Sequence, residues 1–167
     1  MPDDEMIAEV ERLVVVASRA SRSHYLFSKR LQAMHTYLGL PVVILSASAG
    51  TAAFSSLGSD PSTSWRALSG VVSIVVAALA AVQTFFRYAE RAEQHRAAGA
   101  RLAGMARRLR VLQLRVGQVA GDDPSLLADL ASFTSEFNSL EEANPDVPDR
   151  FYDAAVGEKV AGSKATE

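Results

Sequence analysis

The sequence predicts an all-α protein: a membrane helical hairpin of two transmembrane helices, with long cytoplasmic helical extensions and a C-terminal cytoplasmic helix. Three observations predict it. Residues 31–59 and 67–86 contain no Lys, Arg, Asp or Glu. At about 1.5 Å per residue, each holds the roughly 20 residues needed to cross a hydrocarbon core of ~30 Å. Basic residues gather on the outer flanks of the pair and are scarce between them.

Residues 1–36 read as a cytoplasmic helix. Val10, Leu13, Ala17, Ala20, His24, Phe27, Leu31, Met34 and Leu38 recur at alternating steps of three and four, a heptad seam. Residues 37–57 form the first span, with eight Val, Ile, Leu or Phe residues. On an insertion scale these contribute about −2 to −5 kcal/mol. Ser46, Ser48, Thr51, Ser55 and Ser56 make it the more polar of the two. Gly58-Ser59-Asp60-Pro61-Ser62 has turn chemistry, and residues 58–66 form an external loop. Residues 67–86 are the second span, with ten such apolar residues worth about −3 to −6 kcal/mol. A soluble helix keeps a polar face, and here Val71, Ile74, Val75, Leu79 and Val82 point all round the axis.

Residues 87–120 read as a second cytoplasmic helix and 124–143 as a third, opened by Asp123 as cap and Pro124 at its first position. A short helix near 148–156 follows. Residues 1–157 therefore make one domain, and 158–167 a disordered tail. Arg19, Arg22, Lys29 and Arg30 precede the first span, and Arg87, Arg91, Arg96 and Arg101 follow the second. By the positive-inside rule both termini are cytoplasmic, in a plasma membrane. Tyr37 and Phe86–Tyr88 suit the inner interface and Trp65 the outer one. The acidic start, Met1-Pro2-Asp3-Asp4-Glu5, does not read as a cleavable signal peptide.

The totals exclude more than they identify. The chain has 167 residues and a net charge of −2, so charge points to no nucleic-acid partner. No cysteine is present, which removes disulfides, thiolate metal sites and cysteine nucleophiles. No phosphate loop, Ser/His/Asp arrangement or metal motif stands out, so neither an enzyme nor a cofactor is expected. Glu93 and His95 fall on nearly opposite helix faces, which argues against a metal site with Glu90. His95 reads either as a plainly packed histidine or as a pH-sensitive group near Phe27.

In lipid, helices associate through small residues. Ser69, Ser73, Ala77 and Ala81 fall four apart, and the first span offers Ser46 with Gly50 and Ala49 with Ala53. These faces either close the hairpin or join neighbouring subunits. Ser46, Ser48, Thr51, Gln83 and Thr84 are polar groups at membrane depth, either bonded between helices or lining a pore. Two spans cannot enclose a water path, so a pore requires a homo-oligomer. Counting outward from Tyr37 and Phe86 sets Leu31 level with Ala92, His24 with Gly99, Ala20 with Leu102 and Leu13 with Leu109. It also brings Glu5, Glu9 and Glu11 near Arg107 to Arg115, whose remaining role is a solvated face.

Leu38-Gly39-Leu40-Pro41 leading to Leu45-Ser46 and Ala49-Gly50-Thr51, with Phe54 beyond, resembles one known family. So do Phe85-Phe86, the segment Arg91-Ala92-Glu93-Gln94-His95-Arg96-Ala97-Ala98-Gly99, Leu140-Glu141-Glu142 and Asn144-Pro145-Asp146-Val147-Pro148. The family is SLATT, the SMODS and SLOG-associating two-transmembrane effectors of bacterial conflict systems, and the resemblance covers about residues 20–157. Its most specific part is the juxtamembrane motif with Arg91, Glu93, His95 and Arg96. Leu102-Ala103-Gly104-Met105 stands where the family usually has an aromatic residue. The resemblance implies a pore-forming antiviral effector gated by a separately encoded nucleotide-signalling or nucleotide-sensing protein. A membrane-anchored adaptor without conductance is the alternative.

Overall fold

A computed structural model describes residues 3–55, 63–116 and 124–163. All five elements are helices: α1 (Asp3–Ser55), α2 (Thr63–Phe86), α3 (Tyr88–Val116), α4 (Pro124–Ala143) and α5 (Asp149–Ser163). Among the described residues there is no strand. The chain divides into two compact units, one of residues 1–29 with 92–167 and the other of residues 30–91.

The first unit has a conventional core. Met6, Val10, Leu13, Val14, Ala17 and Ala20 of α1 pack with Leu102, Met105, Ala106, Leu109, Leu112 and Val116 of α3 and with Leu126, Leu130 and Phe137 of α4. The α1 members follow the three-and-four spacing read from the sequence. Outside this core, Arg108 pairs with Glu136, and Arg115 bonds Asp129 at 2.9 Å, tying α3 to α4. This differs from the pairing expected with the acidic start of α1. The α1 face turned to α3 is filled by Met6, Val10 and Leu13, so the carboxylates beside it lie elsewhere. Glu9 instead pairs with Arg12 on its own helix.

In the second unit α1 and α2 lie side by side. α1 is a single helix of 53 residues with Pro41 inside it. Proline removes a donor, and Tyr37 loses the amide that would bond its carbonyl. α2 opens at Thr63 and so takes residues 63–66 from the expected loop. The expected turn at 58–62 lies outside the described residues, as do the break at 121–123 and its Asp123 cap. Arg87 separates α2 from α3 with φ of 47°, while its amide still bonds the Gln83 carbonyl at 3.1 Å. At the other end α5 runs to Ser163, well into the stretch read as a tail.

Leu109 is completely buried and Val111 is 59% exposed, two residues apart on α3. Leu109→Ala is expected to destabilise the protein by about 2–5 kcal/mol and Val111→Ala by well under 1 kcal/mol. Thermal unfolding followed by circular dichroism checks this.

Candidate functional site

Two features stand apart from ordinary packing. The first is the apolar hairpin of the second unit. Leu38, Gly39, Val42, Leu45 and Ala49 of α1 are half-buried, as are Val72, Val76, Leu79, Ala80 and Gln83 of α2. Each set forms one stripe along its helix, and these stripes face each other. At the end of the hairpin away from its loop, Gln83 Nε2 donates to the His35 carbonyl at 3.1 Å. A β-carbon at Gly39 would lie 2.7 Å from that nitrogen, so glycine makes room for the Gln83 side chain.

Among the described side chains of residues 37–51 and 67–86, none is buried. Val43, Ile44, Val71, Ile74 and Phe85 are exposed, Ile74 to 71% and Phe85 to 81%. The small residues Gly50, Ser69, Ser73, Ala77 and Ala81 are exposed as well. The half-buried residues along the hairpin are thus Val and Leu together with Ala49, Ala80, Gly39 and Gln83, while the series Ser69, Ser73, Ala77 and Ala81 is more exposed. Ser48, Thr51, Ser73 and Thr84 bond carbonyls four residues back on their own helices. Ser46 is exposed too, and Gln83 is the polar candidate that bonds the other helix, through the His35 carbonyl. The side chain of Ala53 lies outside the described residues.

The second feature is the polar seam between α1 and α3 in the first unit. Ser21 Oγ donates to the Gly99 carbonyl at 2.8 Å, and Ser28 Oγ to the Ala92 carbonyl at 2.7 Å. Midway between them His24 Nδ1 lies 3.1 Å from His95 Nδ1. The Phe27 ring meets His95 edge-on, with centroids 4.6 Å apart, and Phe151 of α5 lies 4.9 Å behind it. His95 near Phe27 was legible from the sequence; its contact with His24 was not. Burial, helped by the neighbouring His95, pushes His24 down to about 4.

The seam also corrects the register. Ser28 lies level with Ala92, and His24 with His95, about one helical turn from the expected pairing of Leu31 with Ala92 and His24 with Gly99. Gly99 is the physical reason. A β-carbon there would lie 3.1 Å from the Ser21 carbonyl oxygen and 3.3 Å from the Tyr25 ring, so α1 approaches α3 most closely opposite Ser21. The matched spacing Ser21/Ser28 and Ala92/Gly99, seven residues on each helix, was the signal that fixes this register.

Of the juxtamembrane motif, Arg91, Glu93 and Arg96 are exposed, and His95 alone enters the seam. Glu93 and Arg96 lie 3.9 Å apart on the surface. Among the described residues no group of three or more His, Asp or Glu is arranged to hold a metal. A cavity of about 210 Å³ adjoins His24, lined also by Leu102, Glu141, Asn144, Asp146 and Tyr152. No family model matches the sequence, and neither the curated proteins nor the solved structures return a match.

Gly99→Val is expected to force the seam apart and cost about 1–3 kcal/mol. Gly104→Ala, where the nearest atom is the end of the Arg107 side chain at 3.8 Å, should stabilise α3 by up to ~1 kcal/mol. Thermal melts of the two variants, measured side by side, distinguish a helix-helix contact at residue 99 from a general intolerance of α3.

Proposed function

We propose that this chain is a two-span protein of the bacterial plasma membrane, both termini cytoplasmic, whose copies assemble into a gated pore. One observation carries the membrane reading: away from the partner helix, residues 37–51 and 67–86 leave large apolar side chains such as Val43, Ile44, Val71, Ile74 and Phe85 uncovered. In water, each fully exposed Val, Leu, Ile or Phe forgoes about 1.5–3 kcal/mol of burial. In lipid that cost disappears, and the helical backbone satisfies its own polar groups. The basic flanks orient the hairpin.

Assembly follows from how the exposed surface is divided. At 100° per residue, Ser69, Ser73, Ala77, Ala81 and Thr84 fall on one side of α2, and Val71, Ile74, Val82 and Phe85 on another. Ser46 and Gly50 lie beside the pairing stripe of α1. Because the helices are antiparallel, both small sectors face the same flank of the hairpin. Small surfaces suit close helix approach in lipid, and hydroxyls bonded to their own backbone can turn to water at little cost. That flank is where copies meet, and where a water path opens when the spans rotate. The resemblance to SLATT effectors supports a conflict-system role and a separate nucleotide-signalling or nucleotide-sensing partner as the gate.

Cysteines at Ser73 or Ala77 are expected to crosslink between copies in membranes, and cysteines at Ile74 or Val75 are not; the reverse pattern would sink the interface. Purified protein in liposomes, with its neighbouring-gene partner and nucleotide, should release a small dye. Liposomes that stay sealed while crosslinking succeeds would favour the adaptor.

A further inference from the structure

The His24–His95 contact has a property that its serine neighbours lack. A serine hydroxyl donates to a carbonyl at any ordinary pH. Two Nδ1 atoms at 3.1 Å are bonded only if one carries a proton and the other offers its lone pair. Both rings are buried, His24 to 3% and His95 to 2% exposure, so neither can turn to water without the helices parting.

We propose that the His24–His95 pair is a proton-counting clasp, which holds α1 to α3 while the two rings carry two or three protons between them and opens when they carry four. With two protons, opposite tautomers leave one Nδ1–H facing one lone pair. A third proton makes one ring a cation that still donates to its neutral partner, and charge strengthens that bond. A fourth proton puts two N–H groups and two positive charges face to face, with no acceptor between them. Phe27 of α1 stands nearly perpendicular to His95, with ring centroids 4.6 Å apart. Glu141 of α4, Asp146 of the α4–α5 connection and Tyr152 of α5 line the cavity at His24 and give protons a polar route to it. Arg96 follows His95 on α3 but is exposed and sits by Glu93. Acidification is thus an input to which this seam responds, separately from any pore.

The sign follows from His24, lowered from 6.5 to about 4 by burial and by His95. Between those values the opened state binds more protons than the closed one, so the seam loosens as pH falls from about 6.5 toward 4. Amide protection at residues 92–102 is expected to drop about tenfold per pH unit across that window.

The test uses the full chain in nanodiscs. Imidazole nitrogen resonances should show a shared Nδ1–H···Nδ1 bond at pH 8 and two coupled titration steps, the second well below 6.5. Spin labels at Arg19→Cys and Arg101→Cys should separate through that second step. His95→Gln, whose amide takes no proton, should abolish the separation. Two independent titrations near 6.5, an unchanged spin-label distance, or full acid opening in His95→Gln would each overturn the clasp. Should His95→Gln fail to fold, the wild-type resonances and distances decide alone. None of these readouts involves conductance, so failure of the pore leaves them intact.

Discussion

Hydrophobic surface that protein does not cover must be covered by something else, and the second unit depends on that constraint. The first unit buries Leu102, Met105, Leu109 and their neighbours among α1, α3 and α4 in the usual way. The second has only two helices, and two helices can bury only the stripe along which they touch. Away from that stripe, residues 37–51 and 67–86 carry no Asp, Glu, Lys or Arg and are mostly Val, Ile, Leu, Phe or small residues. A third helix would have made the same segments the centre of a soluble bundle, but among the described residues α4, α5 and most of α3 belong to the other unit. On the membrane reading proposed above, lipid is the remaining apolar solvent, and it accounts for the length, the charge-free composition and the flanking arginines together.

The two units are also closed by different chemistry. In the first, large side chains from three helices meet and the polar contacts are few, short and specific: Ser21 to Gly99, Ser28 to Ala92, His24 to His95. Area burial dominates the energy there, yet it tolerates sliding by a turn, since one leucine fits a neighbour's hole nearly as well. The serine bonds do not tolerate it. A donor moved one turn from its carbonyl leaves a buried hydroxyl unsatisfied, at about 1–3 kcal/mol. Polar contacts therefore choose the register that the apolar core stabilises.

That division explains what could be read from the sequence. The helical class, the two apolar stretches and the start and end of α4 followed from charge, length and cap chemistry, which are local. The side of α2 that meets α1 was not legible. Small residues four apart and Val72, Val76 and Leu79 are equally good stripes on one helix, and only the position of Gln83 beneath the His35 carbonyl, with Gly39 making room, decides between them. The seam register was missed for a related reason. Levelling Tyr37 with Phe86 assumed that aromatic residues mark equal depth, whereas Gly99 and the two serines set the level. His24 was legible as a seam residue and His95 as a neighbour of Phe27, but their meeting depends on that register.

A histidine pair is a costly way to join two helices that serines and glycine already hold. Replacing both rings by leucine would bury similar volume without a desolvated polar group, and buried polar groups are frequently no better than apolar ones of the same shape. What leucine cannot do is change its charge. Placed between two proton-indifferent serine bonds, the pair adds little to register and a great deal to sensitivity. Its neighbours fit that division of labour: Phe27 and Phe151 pack on one side, while Glu141, Asp146 and Tyr152 line a polar cavity on the other. A contact sealed on one side and open to protons on the other belongs to a seam meant to be both specific and releasable.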